Sequence, residues 1–311
     1  MIEKPVPGDV VLTIGAFDGV HRGHRALLDR LTRIASESHA EPVALTFEPH
    51  PRCVVDPAGC PPLLTGYAER SVLVERAGAR ATVLRFTPEL SRVEADDFFE
   101  ALLGSLRIVH VLAGPRFAVG RDRRGDLAFL SAFGARHGFG VTVVPELRIG
   151  GGPVSSTRIR SALQRGRVVN AARLLGRRYA LEGTVVRGEG RGATLGFPTA
   201  NLALPAGRCL PSPGIYATRV RVGDAWLGGA TSLGVNPTFA GGGLSLETHV
   251  MDFEGDLYGQ SVEVAFVSRL RAERAFPDGE ALARQIAADV TDARRRLERA
   301  AVAPAGEAAR S

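Results

Sequence analysis

Two histidines three residues apart, in GAFDGVHRGH (15–24), are the first residues whose types and spacing suit chemistry. The segment follows an apolar, β-rich run and opens a stretch with helical spacing. Its glycines let main-chain amides approach a ligand closely, and a helix N-terminus offers unpaired N–H groups to anions. His21 and His24 project from one face of that first turn. Two imidazoles there can donate to phosphate oxygens as negative charge builds. A structural pair or a metal pair is the competing reading, and a metal site needs a third ligand that no nearby residue supplies at suitable spacing. SSTRIR (155–160) is a second anion signal. Ser155 and Ser156 suit an N-cap, while Arg158 and Arg160 stand where the helix dipole disfavours cations. That mismatch points to a bound anion, with a plain cap and solvated arginines as the alternative.

A third constellation lies farther along. RGEGRGATLGFPTAN (187–201) spaces its glycines as Gly-x-Gly-x-Gly, and Pro198 prevents the immediate helix of a dinucleotide fingerprint. A loop carrying Gly190, Gly192 and Gly196 can fold over a triphosphate. Thr199 and Asn201 then offer a hydroxyl and an amide oxygen to magnesium, a cation of oxygen ligands that keeps several waters. A barrel turn shaped by Pro198 is the bland alternative. In LSLETHVMDF (244–253), strand alternation puts Leu246, Thr248, Val250 and Asp252 on one face and Glu247 with His249, Met251 and Phe253 on the other. A partly desolvated carboxylate in such company suits a general base for a hydroxyl; an ordinary surface carboxylate is the alternative.

The elements that must position these residues follow from periodicity. At 311 residues the chain suggests two domains. Strands are expected at 10–17, 42–47, 81–86, 108–114 and 141–146, with helices near 24–36, 67–78, 96–105 and 125–138. Such alternation predicts a mostly parallel sheet covered on both faces, with ligands beyond the carboxyl ends of its strands. Around residue 180 the pattern changes to strands at 182–188, 215–222, 225–234, 244–253 and 261–270, separated by Gly/Pro loops. That predicts a small antiparallel barrel, followed by a helix over about 279–299. The boundaries read 1–165, a linker at 166–180 holding a short helix that ends at Gly176, 181–300, and a frayed tail from Ala301.

Composition excludes several alternatives. Lys4 is the only lysine, so no Walker A loop, Schiff base or kinase-fold strand lysine is available. Net charge is +6, carried by arginine, but no basic run interleaves with aromatics, which argues against nucleic acid. The N-terminus MIEKPVPGDV lacks the apolar run of a signal peptide, and no stretch is long and apolar enough to span a bilayer. Three cysteines, Cys53, Cys60 and Cys209, form no CxxC pair and argue against both a disulfide framework and a zinc ribbon. A reducing, cytoplasmic setting is expected.

The two histidines, TFEPHPR (46–52) and SSTRIR before a linker reading LLGRRY together resemble the FAD synthetase module of bifunctional prokaryotic flavin enzymes. The glycine loop with GFPTAN, SPGIYA (212–217), GVNPTF (234–239), ETH with DFEGDLYG (252–259) and RAERAF (271–276) resemble the riboflavin kinase module. The resemblance implies an α/β nucleotidylyltransferase-like parallel-sheet domain followed by a small antiparallel six-stranded β-barrel domain with a C-terminal helix. It further implies ATP, riboflavin and FMN as substrates, with magnesium. By resemblance, His21 and His24 stabilise the departing pyrophosphate, while Gly15, Phe17, Gly23, Ser156, Thr157 and Arg160 bind ATP. His50, Pro51, Phe117 and Arg123 fall on the flavin side. Glu247 is the kinase base, Thr199 and Asn201 hold the metal, and Gly190, Gly192 and Gly196 cover the phosphates. The pattern departs at GPRFAVG (114–120), where Arg116 replaces an expected Asp or Asn and Val119 an aromatic residue. A chain acting as riboflavin kinase alone, and a non-catalytic flavin- or nucleotide-binding regulator, are the alternative readings; assembly into oligomers is left open.

Overall fold

The computed structural model describes residues 6–188, 190–235 and 244–302. The chain divides into two compact units, Met1–Ser156 and Thr157–Ser311. The expected frayed tail lies beyond the described residues apart from its first positions, and so does most of GVNPTF.

The first unit is a five-stranded sheet in the order β3-β2-β1-β4-β5. Its strands are β1 (Asp9–Ile14), β2 (Glu41–Glu48), β3 (Arg80–Arg85), β4 (Arg107–Ala113) and β5 (Gly140–Val143), all paired in parallel. Parallel neighbours need crossovers, which α1 (Arg22–Glu37), α3 (Tyr67–Glu75), α4 (Ala95–Leu103) and α5 (Leu127–His137) supply; a shorter helix, α2 (Pro51–Val55), follows β2. Alternation along β1 sends Val10, Leu12 and Ile14 into one core with Phe98, Phe99, Leu102 and Phe133. Val11 enters the opposite core with Leu28, Leu31 and Leu73. Both faces are therefore dry, which is why these strands read as unbroken apolar runs. The order reverses between β1 and β4, so their carboxyl ends frame the crevice at which open α/β sheets bind ligands. A small hairpin, β6 (Arg148–Ile149) with β7 (Gly152–Pro153), precedes α6 (Ser156–Gln164).

One expectation is overturned here. Cys53 and Cys60 are joined as a disulfide with Cα atoms 4.3 Å apart, while Cys209 is free and buried. The chain reverses after α2, where Asp56 accepts the Gly59 N–H at 3.0 Å and brings the cysteines together. An odd count without a CxxC spacing carries no information about such a reversal.

In the second unit, α7 (Val168–Leu175) ends at Gly176, whose φ of 79° is left-handed. A closed six-stranded barrel follows in the order β10-β11-β12-β9-β8-β13. Its strands are β8 (Ala180–Val186), β9 (Ala200–Ala203), β10 (Gly214–Val222), β11 (Ala225–Val235), β12 (Leu244–Val250) and β13 (Ser261–Arg271). The glycine loop forms one helical turn, α8 (Arg191–Thr194), and the chain's described part closes with α9 (Gly279–Val302). Inside the barrel the fully buried Thr218, Thr231 and Thr248 bond in series, hydroxyl to hydroxyl, at 2.7 and 2.9 Å. These three polar groups thereby satisfy one another in an otherwise apolar interior. On one outer face Ala217 and Met251 pack against Ala293 and Leu297 of α9.

Candidate active sites

The first site is built on the loop after β1. Asp18, 1% exposed, anchors it. Its carboxylate accepts the Leu64 N–H at 2.9 Å and the Thr65 N–H at 3.1 Å, and Gly19 N–H donates to the Thr65 hydroxyl at 3.0 Å. Held in this way, the loop takes left-handed conformations at Phe17 (φ 47°) and Val20 (φ 34°), which cost L-residues energy and occur where surroundings over-determine them. Ser156 Oγ donates to the Asp18 carbonyl at 2.8 Å, which brings the start of α6 against the loop. Asp18→Ala leaves the buried Leu64 and Thr65 amides without an acceptor. It is expected to destabilise the protein by about 2–4 kcal/mol, since each orphaned donor costs about 1–3. Denaturant titration checks this.

His21 caps α1: its Nδ1 accepts the His24 N–H at 3.2 Å. A nitrogen that accepts carries no proton, so a neutral ring bears its proton on Nε2. The two imidazoles stack with centroids 3.6 Å apart. Burial, then His21, then Arg70 hold His24 well below the usual histidine range, and it is therefore neutral at pH 7. A neutral imidazole still offers one N–H to a phosphate oxygen. Phe17, expected among the ATP contacts, turns its ring into the core and against His24 at 5.1 Å. What remains for a ligand is its main chain. Gly15 and Gly23 lie against the rings of Phe17 and His21.

Beyond β4, Phe117 packs on the core and the Arg123 guanidinium donates to the Arg116 carbonyl at 3.2 Å. Arg116 itself pairs with Glu146 at 2.9 Å. This loop and the histidine loop leave the sheet from adjacent strands on either side of the crevice. His50 caps α2, with Pro51 in its first turn, and its own N–H donates to the Tyr67 hydroxyl at 3.1 Å. Thr157 and Arg160 follow Ser156 on the first turns of α6.

The second site lies on the barrel wall. Cross-strand register aligns Val186, Asn201, Glu247 and Ser232 in one row across β8, β9, β12 and β11. Directly paired residues share a face, so this row points outward while Leu246 and Thr248 point in. Over it opens a cavity of about 550 Å³. Gly190, Gly192 and Thr199 line one side, Ser232, Glu247 and His249 the floor, and the 271–289 segment the rest. Gly196, with φ of 84°, closes the helical turn outside that lining. His249 Nδ1 donates to the Pro198 carbonyl at 2.9 Å, tying the loop's far end to β12. Arg271 grips the buried Asp289 of α9 with two nitrogens at 2.7–3.1 Å, which fixes the cavity's far wall. Burial raises the Glu273 carboxyl above its ordinary range, against the pull of Arg271.

Asn201 sits behind the lining, 7% exposed, and its Oδ1 is buried with no hydrogen-bond partner among the described residues. A side chain on Gly188 would strike the Asn201 amide, and one on Gly192 would strike the Phe197 carbonyl beside Thr199. Glycine alone lets the loop lie this close. An orphaned amide oxygen, a threonine hydroxyl and a neighbouring carboxylate make an all-oxygen donor set that fits magnesium with few protein ligands. Among the described residues no cluster of three His, Cys, Asp or Glu offers a competing metal site.

Comparison with known proteins bears on both sites. The family model described as FAD synthetase matches residues 3–158, and the one described as riboflavin kinase matches 175–297. A Pseudomonas fluorescens protein is 38% identical over 94% of this chain and 94% of its own length. Relatives from Escherichia coli and Listeria monocytogenes are 36% and 33% identical, each over 91% of both chains. All three are described as bifunctional riboflavin kinase/FMN adenylyltransferase. The chain belongs to that family.

As a bifunctional riboflavin kinase/FMN adenylyltransferase family member it carries both family domains, one on each compact unit. A solved Streptococcus pneumoniae chain, titled a macrolide-efflux protein, matches with a TM-score of 0.87 at 30% identity. That match covers 94% of this chain and 96% of the other. No described helix here is long and apolar enough to cross a membrane. Within this family member the structure adds residues that sequence reasoning missed: Asp18, Thr65, Ser232 and Glu273. Asp18 lies within GAFDGVHRGH and Glu273 within RAERAF; Thr65 and Ser232 carry no signal, because their role appears only when distant segments meet.

Proposed function

We propose that the second unit phosphorylates riboflavin and that the first adenylylates the FMN produced. The assignment places adenylylation on residues 1–165, a linker at 166–180 and kinase chemistry on 181–300. The observation that carries the kinase reading is the outward row holding Glu247 beside Asn201, under a glycine loop. Glu247 takes the proton of the riboflavin 5′-hydroxyl; the hydroxyl oxygen bonds to the γ-phosphorus, and the bond from that phosphorus to ADP breaks. Thr199 and Asn201 would hold magnesium, which would offset charge on the phosphates. The glycine loop contributes main-chain N–H groups and excludes water.

In the first unit an FMN phosphate oxygen bonds to the α-phosphorus of a second ATP, and pyrophosphate leaves. N–H groups of the histidine pair, with Ser156, offset the charge gained by the leaving group; Thr157 and Arg160 are assigned to ATP by the family resemblance alone. His50, Pro51, Phe117 and Arg123 form the flavin side, and Arg116, neutralised by Glu146, occupies the position where the family shows an acid or amide. We read the protein as a cytoplasmic enzyme acting on ATP, riboflavin and FMN, without a nucleic-acid partner.

The test is chromatographic. Purified protein with riboflavin, ATP and magnesium should yield FMN and then FAD. FMN without FAD would leave a kinase with a silent first unit, and untouched riboflavin would overturn the reading. Chelating the metal should stop both reactions, with recovery on adding magnesium in excess of chelator.

A further inference from the structure

Arg70, on the first turn of α3, is 0% exposed and has no part in the chemistry described above. Its Nη1 donates to the Phe47 carbonyl at 3.2 Å and to the Thr46 hydroxyl at 3.4 Å. That hydroxyl donates in turn to the Ala16 carbonyl at 3.2 Å. Ala16 belongs to the histidine loop, and Phe47 leads into the Pro-His-Pro turn. The guanidinium also lies over the Tyr67 ring, 4.9 Å from its centroid, and Tyr67 accepts the His50 N–H. One turn of α3 thus bolts two ligand loops together.

A buried cation is a costly bolt. Its Nε and Nη2 are buried without hydrogen-bond partners among the described residues. Burial pulls its pKa down, opposed by Asp18, Tyr67, Glu48 and Glu69. A methionine would fill the same volume without desolvating a charge, so packing alone does not account for arginine here.

We propose that Arg70 is a positioning residue for adenylylation, locking the Ala16 and Phe47 carbonyls so that the histidine loop and the Pro-His-Pro turn keep one spacing. The proposal rests on the reading of the first unit as an FMN adenylyltransferase. After burial and His21, the charge of Arg70 also opposes protonation of His24.

Full-length Arg70→Met and Arg70→Lys are assayed for FAD from supplied FMN and, in parallel, for FMN from riboflavin. Arg70→Met should lose about 100-fold in adenylylation kcat, the scale of a slight misplacement of reacting groups, with KM for ATP changed less than about 3-fold. Kinase activity should stay at the wild-type level. Arg70→Lys, which keeps charge but not the fork, should recover most of the loss. Imidazole NMR should show the His24 titration, which faces His21 and Arg70, moving up in Arg70→Met and staying in place in Arg70→Lys. Wild-type adenylylation by Arg70→Met overturns the proposal, as does equal loss of both activities in Arg70→Lys. If the Met variant does not fold, Arg70→Gln takes its place with the same expected loss and the same refuting result. Wild-type protein making no FAD would refute the adenylyltransferase reading and this proposal together, a result distinct from an unaffected variant.

Discussion

Glu247→Ala is expected to abolish FMN formation, lowering kcat by about 10²–10⁴-fold, the span associated with a lost general base. FMN supplied directly should still become FAD at the wild-type rate. The specificity of this result follows from placement. Glu247 lies on the outer face of β12, and its removal leaves the interior residues Leu246 and Thr248 untouched. Binding of ATP should change little, because the glycine loop and Thr199 are intact. Glu247→Gln separates the two possible roles of the carboxylate: it retains the shape but not the proton acceptor, and it should be as inactive as the alanine variant. Retained kinase activity in either would remove Glu247 as the base.

His24→Ala should do the reverse, cutting FAD formation by about 10²–10³-fold, as loss of a transition-state donor does elsewhere, with kinase activity intact. An unchanged FAD output would sink the histidine assignment. The same substitution has a consequence for stability. His24 is neutral in the folded protein because burial, His21 and Arg70 oppose its protonation. In the unfolded chain the imidazole takes up a proton at about pH 6.5. The unfolded state therefore binds more protons below that pH, and stability falls as pH drops toward the depressed folded pKa. His24→Ala should flatten this acid slope, measured by unfolding at a series of pH values from about 7 down to 5.

What the sequence discloses depends on range. The strand VVLTIGAF and the alternation of LSLETHVMDF are local: the first appears as β1, ending at Ile14, and the second keeps its expected faces as far as Val250, whereas Asp252 lies past the strand, exposed and paired with Arg294. The linker helix ending at Gly176 is equally local. By contrast β9, the four residues Ala200–Ala203, is too short for its periodicity to stand out after Pro198. It came only with family resemblance. The Cys53–Cys60 pair depends on a chain reversal, and the burial of Asp18 depends on a loop 46 residues away. Arg70 looks like any helical arginine until β2 and the histidine loop close over it. Phe17 shows how a motif residue can divide its roles: it lies inside a ligand motif while its ring serves the core. Motifs locate where chemistry can occur, but contacts decide which atoms of a motif face the substrate.

The strict alternation along β12 has a practical corollary for protein engineering. Even-numbered positions 246, 248 and 250 are sealed in the barrel, whereas 245, 247 and 249 face outward. Residues that pack the barrel interior and residues that line the cavity are thus interleaved along the same strand. A randomised library confined to positions 245 and 249, together with Ser232 on β11, can explore new acceptor alcohols without repacking the barrel interior.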